Sequence, residues 1–393
     1  LLDELWRVFA ADIARSRAIE PQKLDGFIND LPRLSEGQAF NPAQYALKAG
    51  LVDGLLTPDE FEAQLEKTNR VDDELQEVIQ IHWLDYLQLQ PEPRFKEGVA
   101  IVVAQGAIFD GDESVDGVGG LATIALLREA RRKKGVKALV IRVDSPGGSV
   151  VGSELIRREI EVTRQMGIPV VASMAGMAAS GGYWIAAGAD AIVADESTIT
   201  GSIGVFALFP SASKVLDKLD INTDGYTTHW LRGAYDPRRP LDPRLKGILQ
   251  ASVNQIYDDF IGQVSLARNL SKERVDQLAQ GQVWTGGQAH QRGLVDQLGG
   301  LEKAVELAAQ KAGLDQGFDV TYVEPSEPAW SALLSDVLRS VRAVVSSPPE
   351  WQSLQRLLNI QVSDIRWLLG LASPSAVPAQ AVQAHCLCSS DLF

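Results

Sequence analysis

One serine in this chain stands where a strand gives way to a helix. Residues 169–190 read PVVASMAGMAASGGYWIAAGAD. Pro169, Val170 and Val171 open a buried strand, the chain passes through the small or slender residues Met174–Ala179, and Ser180-Gly181-Gly182 leads into helical turns at Tyr183–Ala187. Such a serine suits nucleophilic attack. Its side chain is rigidly held, its small neighbours let a substrate backbone approach, and a helix N-terminus offers free N–H groups and a positive dipole end. The same spacing also fits a plainer role, in which Ser180 caps the helix and the glycines allow tight packing.

A second glycine motif lies upstream. Lys137–Val143 (KALVIRV) reads as a buried strand, Asp144-Ser145-Pro146-Gly147-Gly148-Ser149 follows, and a helix is expected from Glu154, with Leu155, Ile156, Ile160 and Val162 apolar among charges. Two consecutive strand–glycine turn–helix units imply a parallel α/β sheet. Gly147 and Gly148 can present backbone N–H groups toward the end of the neighbouring strand. Donors fixed before charge develops are what an oxyanion hole requires.

Three motifs carry a family resemblance: DSPGGSV (Asp144–Val150), GMAASGGYW (Gly176–Trp184) and TGSIGV (Thr200–Val205). The chain resembles the signal peptide peptidase A family over about Val99–Leu314. That family comprises membrane-associated serine proteases with a Ser–Lys dyad on a ClpP/crotonase-like fold, and its long bacterial form carries two tandem copies. The resemblance implies Ser180 as nucleophile, Gly147, Gly148 and Gly181 as oxyanion hole, and Ser202 as the residue that orients the catalytic lysine. From its residues alone, Ser202 can equally be a turn hydroxyl satisfied by backbone.

An internal repeat supports the tandem reading. Val8–Leu24 (VFAADIARSRAIEPQKL) aligns with Asp259–Val275 (DFIGQVSLARNLSKERV) at an offset of 251, and Leu51-Val52-Asp53-Gly54-Leu55 aligns with Leu294-Val295-Asp296-Gln297-Leu298 at 243. The first copy therefore holds about eight extra residues between the two matches. The expected organisation is residues 1–66 as the C-terminal tail of a first repeat, 67–96 as a helical connector, 97–315 as a complete second repeat carrying the nucleophile, and 316–393 as a C-terminal helical extension. Within the second repeat, 107–120 reads as a Gly- and Asp-rich loop, and Arg131-Arg132-Lys133-Lys134 as a solvated helix end matched to the dipole. The last twenty residues read as loosely held.

A serine near neutral pH needs a proton acceptor. None of the four histidines, His82, His229, His290 and His385, sits in a motif with an acidic partner. His229, in the polar loop 222–243, is the Ser–His alternative. In the single-repeat form of the family a lysine in the equivalent loop does this work, and alignment places it near Arg232. Arginine cannot replace it, because a guanidinium stays protonated, whereas burial can bring a lysine from ~10.4 toward ~7. In the double-repeat form the resemblance puts the lysine in the first copy, at a position before Leu1. The chain as given is then expected to hold nucleophile and anion cradle without the base, and to be inactive by itself.

Composition narrows the partners. A formal charge of −14 over 393 residues argues against nucleic acid or an anionic membrane surface. The two cysteines, Cys386 and Cys388, are too few and too close to staple a fold or build a zinc site. No cofactor or metal is expected, and no stretch reads as a membrane span. The resemblance implies peptide substrates such as signal-peptide remnants, a homo-oligomer (a tetramer), a location at the periplasmic face of a bacterial inner membrane, and an anchor before Leu1. The competing readings are a crotonase-type acyl-CoA enzyme using the same glycine cradle and an inactive peptide-binding scaffold.

Overall fold

Apolar runs too continuous for a solvated strand set the centre of the molecule. The computed structural model describes residues 1–35, 41–69, 78, 80–83, 86–87, 95–112, 117–324 and 383–385. In it VAIVVA lies in β1 (Gly98–Gln105) and KALVIRV in β4 (Val136–Ser145), paired in parallel with Val99 opposite Ala138 and Ala104 opposite Val143. β6 (Val170–Ala179), β7 (Ala191–Ala194), β10 (Gln297–Leu298) and β11 (Asp319–Tyr322) complete an all-parallel path in the order β10-β7-β6-β4-β1-β11. β11 carries this sheet past residue 315.

Helices cover both faces, as a parallel sheet requires. On one face α5 (Gly120–Arg132) and α6 (Val150–Gln165) bury Leu127, Ile156 and Ile160 against Leu139, Ile141 and Val143. On the other, α13 (Leu301–Lys311) lays Ala304 and Ala308 over Val99, Val140 and Val171. The helix expected from Glu154 starts four residues earlier. Ser149 caps it, its Oγ accepting the Gly152 N–H at 3.1 Å, so the glycine motif runs directly into α6.

Two expectations change. The loop 107–120 contains β2 (Ala107–Phe109) and β3 (Gly117–Gly119), which join β5 (Gly147–Ser149) in a second small sheet. Three-residue strands without an apolar run leave no periodic signal, and this pairing depends on bare glycine: a Cβ at Gly148 would overlap the Ile108 backbone. Nor is the basic end of α5 wholly solvated. Arg128 and Arg131 both bind Glu159 of α6, whose side chain is almost fully enclosed.

The connector 67–96 and the extension 316–393 lie mostly outside the described residues, as do Cys386 and Cys388. Of the last twenty residues, Gln383–His385 form a strand, β12, paired with β5. Among the described residues no helix is long and apolar enough to cross a membrane.

The aligned segments 8–55 and 259–298 share one local construction. α1 (Leu2–Arg17) ends at Ala18 with φ 51 and ψ 41, and α10 (Pro243–Arg268) ends at Asn269 with φ 51 and ψ 43. Arg17 donates from Nε to the Gly50 carbonyl at 3.0 Å and grips Asp53 with both terminal nitrogens at 2.9 and 2.7 Å. Arg268 does the same to the Gly293 carbonyl at 2.8 Å and to Asp296 at 2.7 and 2.6 Å. The eight surplus residues fall in one helix: α2 (Pro21–Ser35) is 15 residues long where α11 (Lys272–Leu278) is 7. The copies differ in surroundings. The Asp296 carboxylate also accepts the Ile192 N–H of β7 at 2.7 Å, while the Asp53 side chain is 89% exposed.

Burial by itself would raise the Asp296 pKa. The Arg268 guanidinium and the Ile192 N–H overcome that effect, and the carboxyl is held below its ordinary value. Such a group stabilises the fold fully above its unfolded pKa of ~3.9, and its contribution is lost as pH falls through the lower folded value. Asp296→Asn is expected to be less stable than the parent at neutral pH. It should also lose stability less steeply between about pH 5 and pH 2. Thermal unfolding across that range is the check.

Candidate active site

β6 ends at the serine. Its first half is held between β4 and β7, and its second half, Met177–Ala179, pairs in parallel with β8 (Ile199–Gly201). The stretch Met174–Ala179, read from sequence as a passage out of the strand, is thus strand to its last residue. Threonines of the neighbouring segment fasten it: Thr198 Oγ1 donates to the Ala175 carbonyl and Thr200 Oγ1 to the Ala178 carbonyl, each at 2.7 Å. Asp144 Oδ1 accepts the Met177 N–H at 3.1 Å.

Ser180 then turns the chain sharply. Its φ of 54° and ψ of −117° suit glycine rather than serine, at a cost of about 1–3 kcal/mol. Two bonds impose the turn. The Ser180 N–H donates to the Gly201 carbonyl at 2.9 Å, and the Ser180 carbonyl accepts the Trp184 N–H at 2.9 Å, opening α7 (Gly181–Ala186). The residue is fully buried, and nothing among the described residues hydrogen-bonds to its Oγ. A cap would have used that oxygen on the helix N–H groups; here no side-chain cap bond forms. The capping role is therefore excluded.

The glycine motif sits against this turn. A Cβ built on Gly181 would lie 3.3 Å from the Gly147 Cα and 2.5 Å from Ser153 Oγ. One on Gly182 would lie 2.9 Å from the Ser145 carbonyl oxygen. Gly147 and Gly148 have φ of 104° and 150°, a course that side-chain-bearing residues rarely take. The three glycines are not equivalent as donors. The Gly147 N–H is spent on Ser145 Oγ at 3.1 Å. Gly148 pairs with Ile108 of β2, and the Gly181 amide, in the first turn of α7, has no intrahelical acceptor. Ser149 fixes the far end of the motif, donating to the Asp110 carboxylate, and its carbonyl accepts from Ser153 Oγ at 2.7 Å.

Every residue of α7 is buried. Tyr183 OH donates to the Leu294 carbonyl at 2.8 Å, and burial pushes its phenol pKa up, so it remains a neutral donor. Trp184 packs on Phe260 with ring centroids 4.4 Å apart and donates from Nε1 to Glu154 at 2.8 Å. Burial disfavours the Glu154 charge, but its bonds from Arg157 and Trp184 outweigh that and hold the carboxyl below its ordinary pKa. Leu294 stands two residues from Asp296, so the Arg268–Asp296 clasp also anchors the helix that follows the serine.

Ser202 comes immediately after the carbonyl that holds the Ser180 N–H. It is buried, has φ of 48°, and donates its N–H to the Gln282 carbonyl at 2.7 Å. Two of the histidines have partners of their own. His229 Nδ1 accepts the Leu231 N–H at the start of α9 (Trp230–Gly233), and His290 Nδ1 meets the Val295 carbonyl. Arg232 lies on the exposed α9. Trp284 is half-buried against the core, donates to the Leu278 carbonyl and stacks under Arg292. Sequence reasoning missed Asp110, Asp144, Ser153 and Tyr183. Asp144 and Tyr183 lay inside quoted motifs, but Asp110 sat in a Gly/Asp-rich stretch with no spacing to single it out.

A Synechocystis relative named as a protease is 36% identical over 56% of this chain and 76% of its own length, and the Peptidase family S49 model matches residues 162–315. The chain belongs to peptidase family S49. An Enterococcus faecium relative named as a signal peptide peptidase SppA is 30% identical over 63% of this chain and 69% of its own. Protease 4 of Salmonella typhi is 37% identical over 88% of this chain, but over only 55% of its own length. This S49 chain thus spans little more than half of that relative. Its parallel sheet, sandwiched by helices and followed by a glycine-cradled turn, is the ClpP/crotonase-like fold expected from the motifs.

Ser180 holds a buried hydroxyl with no partner among the described residues, on a strained backbone. Ser180→Ala, which deletes the hydroxyl, is expected to raise the unfolding free energy by about 1–3 kcal/mol, and Ser180→Gly to relieve the backbone as well. Tyr183→Phe, which strands the Leu294 carbonyl, should lower it by about 1–3 kcal/mol. Urea denaturation of the three variants tests both signs.

Proposed function

We propose that this chain carries the nucleophile and oxyanion cradle of a serine endopeptidase that cuts hydrophobic peptides such as cleaved signal peptides. The observation that carries the reading is Ser180 itself: fully buried, bent against its own preference, and, among the described residues, unbonded at Oγ beside the 145–149 turn. Its hydroxyl oxygen attacks the peptide carbonyl, the oxyanion forms against N–H groups around Gly147, Gly148 and Gly181, and the amine leaves to give an acyl-enzyme that water hydrolyses.

The proton acceptor is a lysine on another copy of the fold, the copy to which residues 1–66 belong, and Ser202 orients it. The duplicated Arg–Asp clasp supports that assignment: in the second copy the aspartate holds a strand N–H of its own α/β body, and Asp53 is built to do the same for another. The exposed apolar residues Phe206, Leu208, Tyr226, Leu231 and Tyr235 fit contact between copies in a homo-oligomer, a tetramer by resemblance. Membrane attachment at the periplasmic face follows from the same resemblance.

General-base assistance is worth about 10²–10⁴-fold. Peptide cleavage by residues 1–393 alone is expected to be slower by about that factor than cleavage by a protein containing both copies. In the latter, a fluorophosphonate should label Ser180, and Ser180→Ala should abolish both labelling and turnover. High activity of residues 1–393 alone would overturn the division of roles. An acyl-CoA enzyme of the crotonase type would leave Ser180 unlabelled.

A further inference from the structure

The strand that carries Ser180 does not run straight to it. β4 and β6 pair residue for residue from Leu139 opposite Val170 to Val143 opposite Met174, and pair again at Ser145 opposite Ala178. Between these pairings β4 has one residue, Asp144, where β6 has three, Ala175, Gly176 and Met177. β6 therefore bulges. A bulge bends its strand, increases the local twist and re-aims the side chains beyond it. A surplus of two residues preserves the alternation of faces, so Ala178 returns to the core that holds Met174. What changes is the reach of the strand. At about 3.3 Å per residue, a regular β6 would carry Ser180 roughly 6–7 Å further along β4. The close approach of Gly181 to Gly147 belongs to the shorter reach.

Side chains replace the ladder across the bulge. From β4, Asp144 Oδ1 accepts the Met177 N–H at 3.1 Å, while Arg142 Nη1 donates to the Met174 carbonyl at 3.1 Å and to Ser173 Oγ at 2.8 Å. From the other edge, Thr198 and Thr200 donate to the Ala175 and Ala178 carbonyls. Asp144 has the central place. Gly176 is the exposed apex of the bulge, and a Cβ built on it would lie 3.7 Å from Asp144 Oδ1. The carboxylate thus fills the gap that the single β4 residue leaves, and it holds the amide three positions before the serine. We propose that Asp144 is a positioning residue for the nucleophile: it holds the bulge of β6, and the bulge brings Ser180 level with the glycine turn. The kinetic consequence rests on the peptidase reading; the placement of Ser180 rests on strand register.

Four variants separate positioning from general loss of stability. Asp144→Asn keeps an oxygen able to accept the Met177 N–H, Asp144→Ala removes it, and Asp144→Glu keeps the charge on a longer stem. Asp190→Ala is the matched control, because Asp190 Oδ2 accepts the Val170 N–H at 2.8 Å at the opposite end of the same strand. Amide exchange over 175–181 is followed in the 393-residue chain, and the rate of fluorophosphonate labelling at Ser180 in a protein containing both copies. Asp144→Ala is expected to speed that exchange by about 10–100-fold. Labelling should slow by about 10–100-fold in Asp144→Ala and Asp144→Glu, as displacement of a reacting atom predicts. Asp144→Asn should stay within about 3-fold of the parent in both readouts. Asp190→Ala should lower the thermal unfolding midpoint and leave labelling unchanged. Parent-like exchange and labelling in Asp144→Ala would overturn the proposal. So would equal slowing in Asp190→Ala, or no rescue by Asp144→Asn. If Asp144→Ala does not fold, the contrast between Asp144→Glu and Asp144→Asn decides. A parent protein that does not label would remove the nucleophile, and exchange alone would then decide whether Asp144 holds the bulge.

Discussion

Everything at the site depends on one backbone hydrogen bond, from the Ser180 N–H to the Gly201 carbonyl. It fastens the end of β6 to the end of β8 at the point where the chain must reverse out of the sheet. With the Trp184 N–H on the Ser180 carbonyl, both main-chain polar groups of the serine are committed, and its conformation follows. The strain is sustained because the neighbours cannot yield. Thr198 and Thr200 hold the carbonyls of β6, and α7 is buried at every residue. Rigidity around a disfavoured turn keeps the hydroxyl buried.

That rigidity is distributed over distant segments. Tyr183 ties α7 to Leu294, Asp296 caps β7 at Ile192, and Arg268 joins both to the end of α10. Trp184 reaches the other way, to Glu154 of α6. A residue whose Oγ has no partner among the described residues is thus held by elements more than a hundred positions away in sequence. Ser149 joins β5 to Asp110 beyond β2 and to Ser153 of α6, and the glycine turn lies directly against Gly181 beside the serine.

Much of this was legible from residues alone. Apolar continuity at 137–143 and 169–171 marked two of the central strands, and paired glycines marked both turns. The Arg and Asp of the repeat were visible as letters, though nothing in them announced a bidentate clasp. What stayed hidden has a common physical cause. β2, β3 and β5 are too short and too rich in glycine to carry a hydrophobic period, and they exist only because bare backbones fit closely there. The engagement of the Gly147 N–H by Ser145 was hidden for the same reason, since it follows from a local φ that the residue type permits but does not dictate.

Those three-residue strands have an energetic corollary. The main sheet buries strands of eight to ten residues between two helical layers, and its opening must approach the cost of global unfolding. A ribbon contributing only a handful of ladder bonds can separate at far lower cost while the central layers stay shut. The structure therefore divides into a stiff half that bears the hydroxyl and a pliant half whose seam parts sub-globally.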